Sequence, residues 1–488
     1  MRITALKLLA FLNGGLVMIL EITGARLIAP FYGTTFFVWS SLISIILAAL
    51  SIGYYWGGKL ADHPRRLSWL LYLLWASGLA LTALIFLKEP IFGIFASTYG
   101  NKYWLLVITT VLFAPVTIIF GMISPLIVRI SLQGISNTGQ TVGQLYAVST
   151  IGSIAGTLLA GYVLLGLIGS TAILWFILIV IGIEFLIAWK IQTNKQNQHL
   201  ILLALLFIMI ISCGLYINWK SNIYVADIDT QYSRFLITDS IRKEKRIRSL
   251  TNDYGFAQAE IDLDHPENLT SKYHQLFTSS IELKPDTKRI LAIGGGAFVF
   301  PQHIAKNYPD IQVDVVEIDP KLIEVSKSFF FFEELPNLTV HHADGRQFLL
   351  STNNKYDLIF IDAFAGRYIP FHLVTREFVS ELNQHLETDG IVITNLIGIQ
   401  RPNQNDNFLN AIYHTFGTEY SYQNIIPTSV TNINPNDIHN YVLISSNRLL
   451  DYQQISNYQE LFQLSWQPTS NPFIMTDDYA PVEHLAAY

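Results

Sequence analysis

The sequence predicts an α-helical membrane domain of about seven spans followed by an α/β domain built on a doubly wound parallel sheet. Two observations predict this division. Long apolar runs are confined to residues 1–219. Residues 289–370 instead contain short apolar runs that each end in glycine or a carboxylate and precede a helical pattern. We therefore predict a membrane domain over 1–219, a small β-rich subdomain over 220–288 and the α/β domain over 289–488.

The charges of the 488-residue chain are distributed unevenly between these parts. Charged residues make up only 14% of the sequence and hydrophobic residues 51%, a composition unlike that of an ordinary soluble protein. Residues 1–219 carry a net charge of +7 and the remainder a net charge of −13. The acidic second part argues against nucleic acid as a partner. The single cysteine, Cys213, excludes a disulfide framework and a cysteine metal site.

Seven apolar segments of the first part approach the length of about 20 residues that a membrane-spanning helix needs. They cover residues 5–25, 36–57, 67–87, 104–130, 143–166, 171–190 and 199–217. Gly121 and Pro125 interrupt the fourth segment, so we expect a kink or a re-entrant bend there. Gly152 and Gly156 have the small-xxx-small spacing of closely packed helices.

Two of the charged residues in these segments call for an explanation. Glu21 and Arg26 lie in the first segment or at its end, where charges are costly and are usually paired or face a cavity. They form either a structural ion pair or a substrate or proton site. Glu184, in contrast, is expected near a membrane interface and needs no special role.

Strand and helix patterns also flank the predicted sheet. Alternating polar and apolar residues predict strands within 223–240 and 245–263, and helical spacing predicts helices over 271–283 and 371–386. An apolar run predicts a buried strand over 390–398, and late strands are expected around 421–427 and 440–446.

A glycine-rich loop follows the first strand of the predicted sheet, RILAI. Gly294, Gly295 and Gly296 let the backbone approach a ligand closely and leave the N-terminus of the next helix free to bind it. Such a loop is a weak signal by itself. Glu317 strengthens it, because it ends the next strand about 20 residues later, where a carboxylate accepts hydrogen bonds from ribose hydroxyls.

Two further carboxylates end the third and fourth strands. Asp344 precedes Gly345 and can accept a hydrogen bond from an adenine amino group. Asp362 ends the run YDLIFID and faces the same crevice. Its alternative role is that of a helix-capping or loop aspartate.

These motifs resemble those of the spermidine synthases, the polyamine aminopropyltransferases. The resemblance rests on GGG, VEID, ADG and YDLIFIDAF in that order, and on YHQ at 273–275. TDDYAPVE at 476–483 and the N-terminal segments LEITGARLIAPFYG and GYYWGGKLAD resemble the membrane-fused branch of that family. The resemblance therefore covers nearly the whole chain, and it implies a Rossmann-like fold of the class I methyltransferase type.

The resemblance also implies a reaction and the residues that carry it. The substrate would be decarboxylated S-adenosylmethionine or S-adenosylmethionine, the product methylthioadenosine, and no metal would be needed. Glu317 would hold the ribose, Asp344 the adenine, and Asp362 would accept the proton of an attacking amine. Tyr232, Tyr273 and His274 would contact the substrate, and the protein would sit in membrane lipid, with a homodimer compatible with the resemblance.

The sequence departs from the family at three positions that contact the amine. The aspartate after the glycine loop is replaced by Ala297, the second aspartate of the DSSD-type loop by Ala365, and a glutamine by Ser233. A dicationic acceptor needs carboxylates against it, so two other sulfonium reactions stay open: a lyase that releases methylthioadenosine, or a methyltransferase. A transporter or sensor regulated by its nucleotide domain is a third alternative.

The side of the membrane is predicted by two conflicting arguments. Basic residues cluster in the loops on the side of the N-terminus, which places that side in the cytoplasm and, with seven spans, the catalytic domain outside. The need for a cytoplasmic nucleotide favours the opposite side. We predict a multi-pass protein of the inner (plasma) membrane whose catalytic domain faces the cytoplasm.

Overall fold

The computed structural model divides the chain into two compact units, Met1–Arg234 and Phe235–Tyr488. It describes residues 2–32, 36–94, 102–132, 138–191, 208–209, 212–213, 215–217, 224–230, 232–252, 257–363, 369–399, 407–428, 438–455, 458–468 and 472–485. The division falls later than the predicted boundary after residue 219. The reason is that residues 224–234 are bound by hydrogen bonds and ion pairs to the helices of the first unit.

The described part of the first unit contains six helices that are long and apolar enough to cross a membrane. They are α1 (Arg2–Tyr32), α2 (Phe36–Ala61), α3 (Arg66–Ile94), α4 (Lys102–Ser131), α5 (Thr138–Leu158) and α6 (Ser170–Ile191). A π-helical turn, Leu159–Leu164, and a short helical turn, Leu165–Leu167, prolong α5. The seventh predicted span, 199–217, lies largely outside the described residues, and those described within it at 208–209, 212–213 and 215–217 are helical.

Two details of the helix predictions are settled by the packing. Helix α4 runs unbroken through Gly121 and Pro125, so the expected re-entrant bend is wrong. The small-xxx-small spacing is confirmed as a close contact between α5 and α1. A Cβ on Gly152 would overlap the carbonyl oxygen of Phe11, and one on Gly156 would overlap that of Gly15, so only glycine permits this approach.

Glu184 is buried among the helices of the first unit, and its expected place near a membrane interface stays a prediction. Its side chain is 0% exposed, and both carboxylate oxygens lack a hydrogen-bond partner among the described residues. The packing of α6 against α1 and α3 buries it.

A short segment after the helices carries the first strand, β1 (Ala226–Asp229), and is anchored to helix ends. Arg26 of α1 donates hydrogen bonds to the carbonyl oxygens of Tyr232 and Thr230 at 2.6 and 2.7 Å. Arg234 pairs with Glu89 of α3 at 2.9 Å. These bonds favour a structural role for Arg26 over a substrate or proton site.

The second unit begins with a small antiparallel meander and continues with a seven-stranded sheet. The meander strands are β2 (Arg234–Arg242), β3 (Lys245–Asn252) and β4 (Ala257–Asp262). The sheet strands are β5 (Arg289–Ile293), β6 (Gln312–Glu317), β7 (Leu338–His342), β8 (Tyr356–Ile361), β9 (Leu386–Ile399), β10 (Tyr422–Pro427) and β11 (Ile438–Ser446). Their order is β10-β11-β9-β8-β5-β6-β7, and β11 alone runs antiparallel, pairing with β10 on one side and β9 on the other.

Helices flank and connect these strands. They are α7 (Lys272–Ser279), α8 (Val299–Asn307), α9 (Lys321–Phe329), α10 (Gly345–Ser351), α11 (Arg376–Gln384), α12 (Asn407–Phe416), α13 (Gln459–Gln463) and α14 (Val482–Leu485). Apolar side chains of α11 and α12, among them Phe378 and Phe408, pack in one core with Ile359 of β8. This covering explains why the sheet strands are continuous apolar runs.

The order of the strands creates a switch point between β5 and β8. The chain proceeds from β5 outward through β6 and β7, then returns to place β8 on the other side of β5. Ile293 pairs with Ile361 where these two strands end. A crevice opens at such a point because the connections leave in opposite directions, and ligands of doubly wound sheets bind there.

Candidate active site

The glycine loop after β5 uses left-handed backbone conformations that favour glycine. Gly294 has φ +97° and Gly296 has φ +53°. A Cβ on Gly294 would also overlap the carbonyl oxygen of Asp362, because the ends of β5 and β8 approach each other here. Ile293 accepts a 2.8 Å hydrogen bond from the Asp362 amide, which locks the two strand ends together.

Glu317 ends β6 and holds the glycine loop in place. Its Oε2 accepts a hydrogen bond from the Gly295 amide at 2.8 Å, and its Oε1 accepts one from the Asp319 amide at 2.9 Å. Burial raises the pKa of the Glu317 carboxyl above its usual value, although these amides oppose the shift. Each oxygen keeps a second lone pair, so the carboxylate can still accept from a ligand hydroxyl.

Asp344 forms the N-cap of α10. Its Oδ1 accepts hydrogen bonds from the amides of Arg346 and Gln347 at 3.0 and 3.1 Å. Its Oδ2 lies 2.9 Å from His372 Nε2, and this hydrogen bond is the main reason that the pKa of Asp344 is below its usual value. Gly345 follows because a Cβ there would overlap the Ile293 side chain.

Asp362 follows β8 directly and stands at the switch point. Its Oδ1 accepts a hydrogen bond from Asn395 Nδ2 at 2.8 Å. Its Oδ2 lies 3.5 Å from His274 Nε2. These partners are side chains from α7 and β9, while the amides that a helix cap would use, at 364–368, lie outside the described residues, so the helix-capping alternative stays open.

Helix α7 brings Tyr273 and His274 to the same carboxylate. The His274 ring stacks on Phe300 with centroids 5.4 Å apart and planes at 15°. Its side chain is buried, and Nδ1 has no hydrogen-bond partner among the described residues. Burial, together with the charge of the neighbouring Asp362, raises the pKa of the Tyr273 hydroxyl well above its usual value. Tyr273 therefore remains protonated and can donate a hydrogen bond in this site.

Comparisons with known proteins identify a domain family in this part of the chain. Residues 271–453 match the spermine/spermidine synthase domain family. The C-terminal half of the chain carries a spermine/spermidine synthase domain. A polyamine aminopropyltransferase of Vibrio vulnificus is 29% identical to the chain over 226 residues, which cover 44% of this chain and 75% of that protein.

A second relative extends the likeness beyond the synthase domain. The polyamine aminopropyltransferase 2 of Aquifex aeolicus is 24% identical over 412 residues, which cover 80% of this chain and 78% of that protein. Among solved structures, a probable spermidine synthase from Corynebacterium glutamicum aligns with a TM-score of 0.41 at 20% identity, covering 46% of this chain and 80% of that one.

The synthase domain brings together most of the residues singled out in the sequence. The described site residues converge at the carboxyl ends of β5, β6, β7 and β8: Gly294, Gly295, Gly296, Glu317, Asp344, Gly345 and Asp362, with Tyr273 and His274 from α7. Tyr232 belongs to the first unit, where its carbonyl oxygen accepts the Arg26 bond. Its role as a substrate contact stays a prediction.

The three departures from the family have different outcomes. Ala297 is buried, with 1% of its surface exposed, so its methyl group offers the crevice no polar contact. Ala365 lies outside the described residues. The Ser233 amide donates to Thr230 Oγ1 within a turn of the first unit.

Sequence reasoning did not identify the residues that hold the candidate site residues in place. Asn395 stands out in hindsight as an amide within the apolar run GIVITNLIG. Arg346 pairs with Glu381 at 2.8 Å and with Asp477 at 2.7 Å. Asp477 belongs to the TDDYAPVE motif, so this motif ties the end of the chain to the start of α10, next to Asp344.

Proposed function

We propose that the synthase domain transfers the aminopropyl group of decarboxylated S-adenosylmethionine to an amine and releases methylthioadenosine. The observation that carries this proposal is the Asp362 carboxylate at the switch point, held by Asn395 and facing His274. The amine nitrogen forms a bond to the carbon beside the sulfonium as the carbon–sulfur bond breaks. Asp362 takes the amine proton, which leaves the nitrogen lone pair free to attack.

The residues at the strand ends beside Asp362 would bind the nucleotide. Glu317 would accept hydrogen bonds from the ribose hydroxyls, and Asp344 from the adenine amino group. The glycine loop would allow the backbone to approach the nucleoside. Both carboxylates are acceptors only, which suits hydroxyl and amino donors.

The amine would lie beside Tyr273 and His274. The Tyr273 hydroxyl and the His274 ring stand against Asp362, and their aromatic faces can pack on the alkyl part of an amine or sulfonium. Because Ala297 lacks the carboxylate of the family, we expect a less strongly charged acceptor than a long polyamine.

The direct test is product analysis with the purified full chain. The protein is incubated with S-adenosylmethionine or its decarboxylated form, with and without a series of mono- and diamines, and the products are identified by mass spectrometry. Aminopropylated amine and methylthioadenosine formed in equal amounts support the proposal. Methylthioadenosine formed without amine identifies a lyase, a methylated product identifies a methyltransferase, and binding without turnover identifies a sensor or transporter.

We also propose that the first unit crosses a membrane in a strict up-and-down order. Lys7 at the start of α1 donates to Gln144 at the start of α5 at 2.9 Å. Arg129 near the end of α4 lies 3.4 Å from Asp62, which follows α2. If each described helix crosses the membrane once, both contacts join helix ends that lie on the same side of the membrane.

The segment after the helices supports one more crossing. Arg26 near the end of α1 and Glu89 near the end of α3 bind residues 230–234, on the face opposite the N-terminus. Helix α6 ends at Ile191 on the N-terminal face. We propose that the chain returns across the membrane before residue 224 through the predicted span over 199–217.

The odd number of proposed crossings determines on which side of the membrane the synthase domain would lie. The N-terminal face carries the basic residues Arg65, Arg66 and Lys190, which favour the cytoplasm. Seven crossings then lead the chain out of the cytoplasm before the synthase domain begins. We propose this outer side in place of the cytoplasmic side that nucleotide supply predicts.

A further inference from the structure

The Asp362 carboxylate is held by a pair of asparagines from β9 and β11. Asn395 Nδ2 donates to Asp362 Oδ1 at 2.8 Å, and Asn440 Nδ2 donates to Asn395 Oδ1 at 3.0 Å. Asn395 is 3% exposed within an apolar strand, where an unpaired amide is costly. We propose that Asn395 and Asn440 are positioning residues for Asp362, a role that rests on the proposed function.

The direction of each hydrogen bond follows from chemistry. A carboxylate only accepts, so Asn395 must turn its NH₂ group toward Asp362. Its oxygen then faces β11 and needs a donor. Asn440 supplies one from a diagonal position, since Asn440 pairs with Ile397 while Asn395 pairs with Val442. Asn440 thus selects which end of the Asn395 amide reaches Asp362.

This selection fixes the orientation of the reacting carboxylate. With Oδ1 held by Asn395, Oδ2 faces the His274 side of the crevice, 3.5 Å from Nε2, where the amine is proposed to bind. A reversed Asn395 amide would set its oxygen against Oδ1 and repel the carboxylate. A misplacement of about 1 Å in a catalytic group can lower the rate about 10²-fold.

Two substitutions at Asn440 separate this role from packing. Asn440→Asp keeps the shape but replaces the donor with an acceptor, so Asn395 turns its NH₂ to the new carboxylate and its oxygen to Asp362. Asn440→Leu removes the donor without reversing the amide. We expect kcat to fall about 10²-fold in Asn440→Asp and about fivefold in Asn440→Leu, with the KM for nucleotide unchanged.

The order of the two effects decides the question. A packing role predicts that Asn440→Asp, the closer isostere, is the milder change, so finding it no worse than Asn440→Leu would overturn the proposal. The double variant Asn395→Leu/Asn440→Asp should have the same kcat as Asn395→Leu alone, because leucine has no amide group to reverse. A further loss of kcat would mean that the added charge acts directly rather than through Asn395. Thr394→Val is the matched control on the other face of β9 and should keep the wild-type kcat.

A structural measurement keeps this test independent of the proposed reaction. A crystal structure of Asn440→Asp should show the Asp362 carboxylate rotated away from Asn395, and an unmoved carboxylate overturns the positioning role. If the wild-type protein transfers no aminopropyl group to any amine, the proposed function fails. The orientation of Asp362 in the variant then still decides whether the asparagine pair positions it.

Discussion

Replacing Asp362 with asparagine tests the proposed reaction at its central group. The substitution keeps the shape of the side chain and removes its basicity. The new amide oxygen can still accept from Asn395, which lies 2.8 Å away, and the new NH₂ group would face His274 Nε2 at 3.5 Å. The fold and the strand ends should therefore be retained.

The size of the effect follows from the role of the carboxylate. General base catalysis contributes about 10²–10⁴-fold to a rate, and each tenfold change corresponds to about 1.4 kcal/mol of activation free energy. We expect Asp362→Asn to lower turnover by that factor, or about 3–5 kcal/mol. Nucleotide affinity should stay near normal, because the bonds of Glu317 and Asp344 do not involve Asp362.

The assay compares turnover and binding in the same preparations. Methylthioadenosine is quantified by chromatography after incubation with the best amine, and nucleotide affinity is measured by calorimetry. Asp357→Asn is a matched control at the opposite end of β8, where the carboxylate accepts hydrogen bonds from the amides of Lys288 and Arg289. If Asp362→Asn turns over as fast as the wild type, Asp362 is structural and the proposed mechanism is wrong.

Three further predictions address the nucleotide site, the acid stability and the membrane side. Glu317→Ala should weaken nucleotide binding by about 1.5–3 kcal/mol, and unchanged calorimetric affinity would remove it from the site. His372 lowers the pKa of Asp344 from 3.8, so the Asp344–His372 pair stabilises the fold above pH 3.8 and stabilises it less as the pH falls below that value. In His372→Gln the melting temperature should therefore decline less over this acid range than in the wild type. A pH profile identical to that of the wild type contradicts this prediction. The membrane side is tested in a Cys213→Ser background by adding an impermeant maleimide to intact cells. Leu449→Cys, which replaces a side chain that is 76% exposed, should be labelled from outside, whereas Arg65→Cys should not. The reverse labelling pattern refutes an outer position of the synthase domain.

The architecture and the carboxylates of the candidate site could be predicted from local sequence patterns. Parallel strands present their carboxyl ends at one edge of a sheet, so residues placed at strand ends converge wherever the sheet forms. Glu317, Asp344 and Asp362 could be identified for that reason, from apolar runs and the residue that ends each. The spacing of Gly152 and Gly156 likewise predicted a close helix contact, because glycine at that spacing leaves a flat helix surface.

Contacts between segments distant in sequence determine which side chains support these residues and which become buried. Asn440 reaches Asn395 because β11 returns antiparallel beside β9, and the register of two strands distant in sequence is not contained in either strand. Glu184 is buried because helix packing, not hydropathy, determines which face of α6 is covered. The Arg26–Thr230 hydrogen bond, on which the proposed crossing order rests, likewise joins residues far apart in sequence, and no local pattern encodes it.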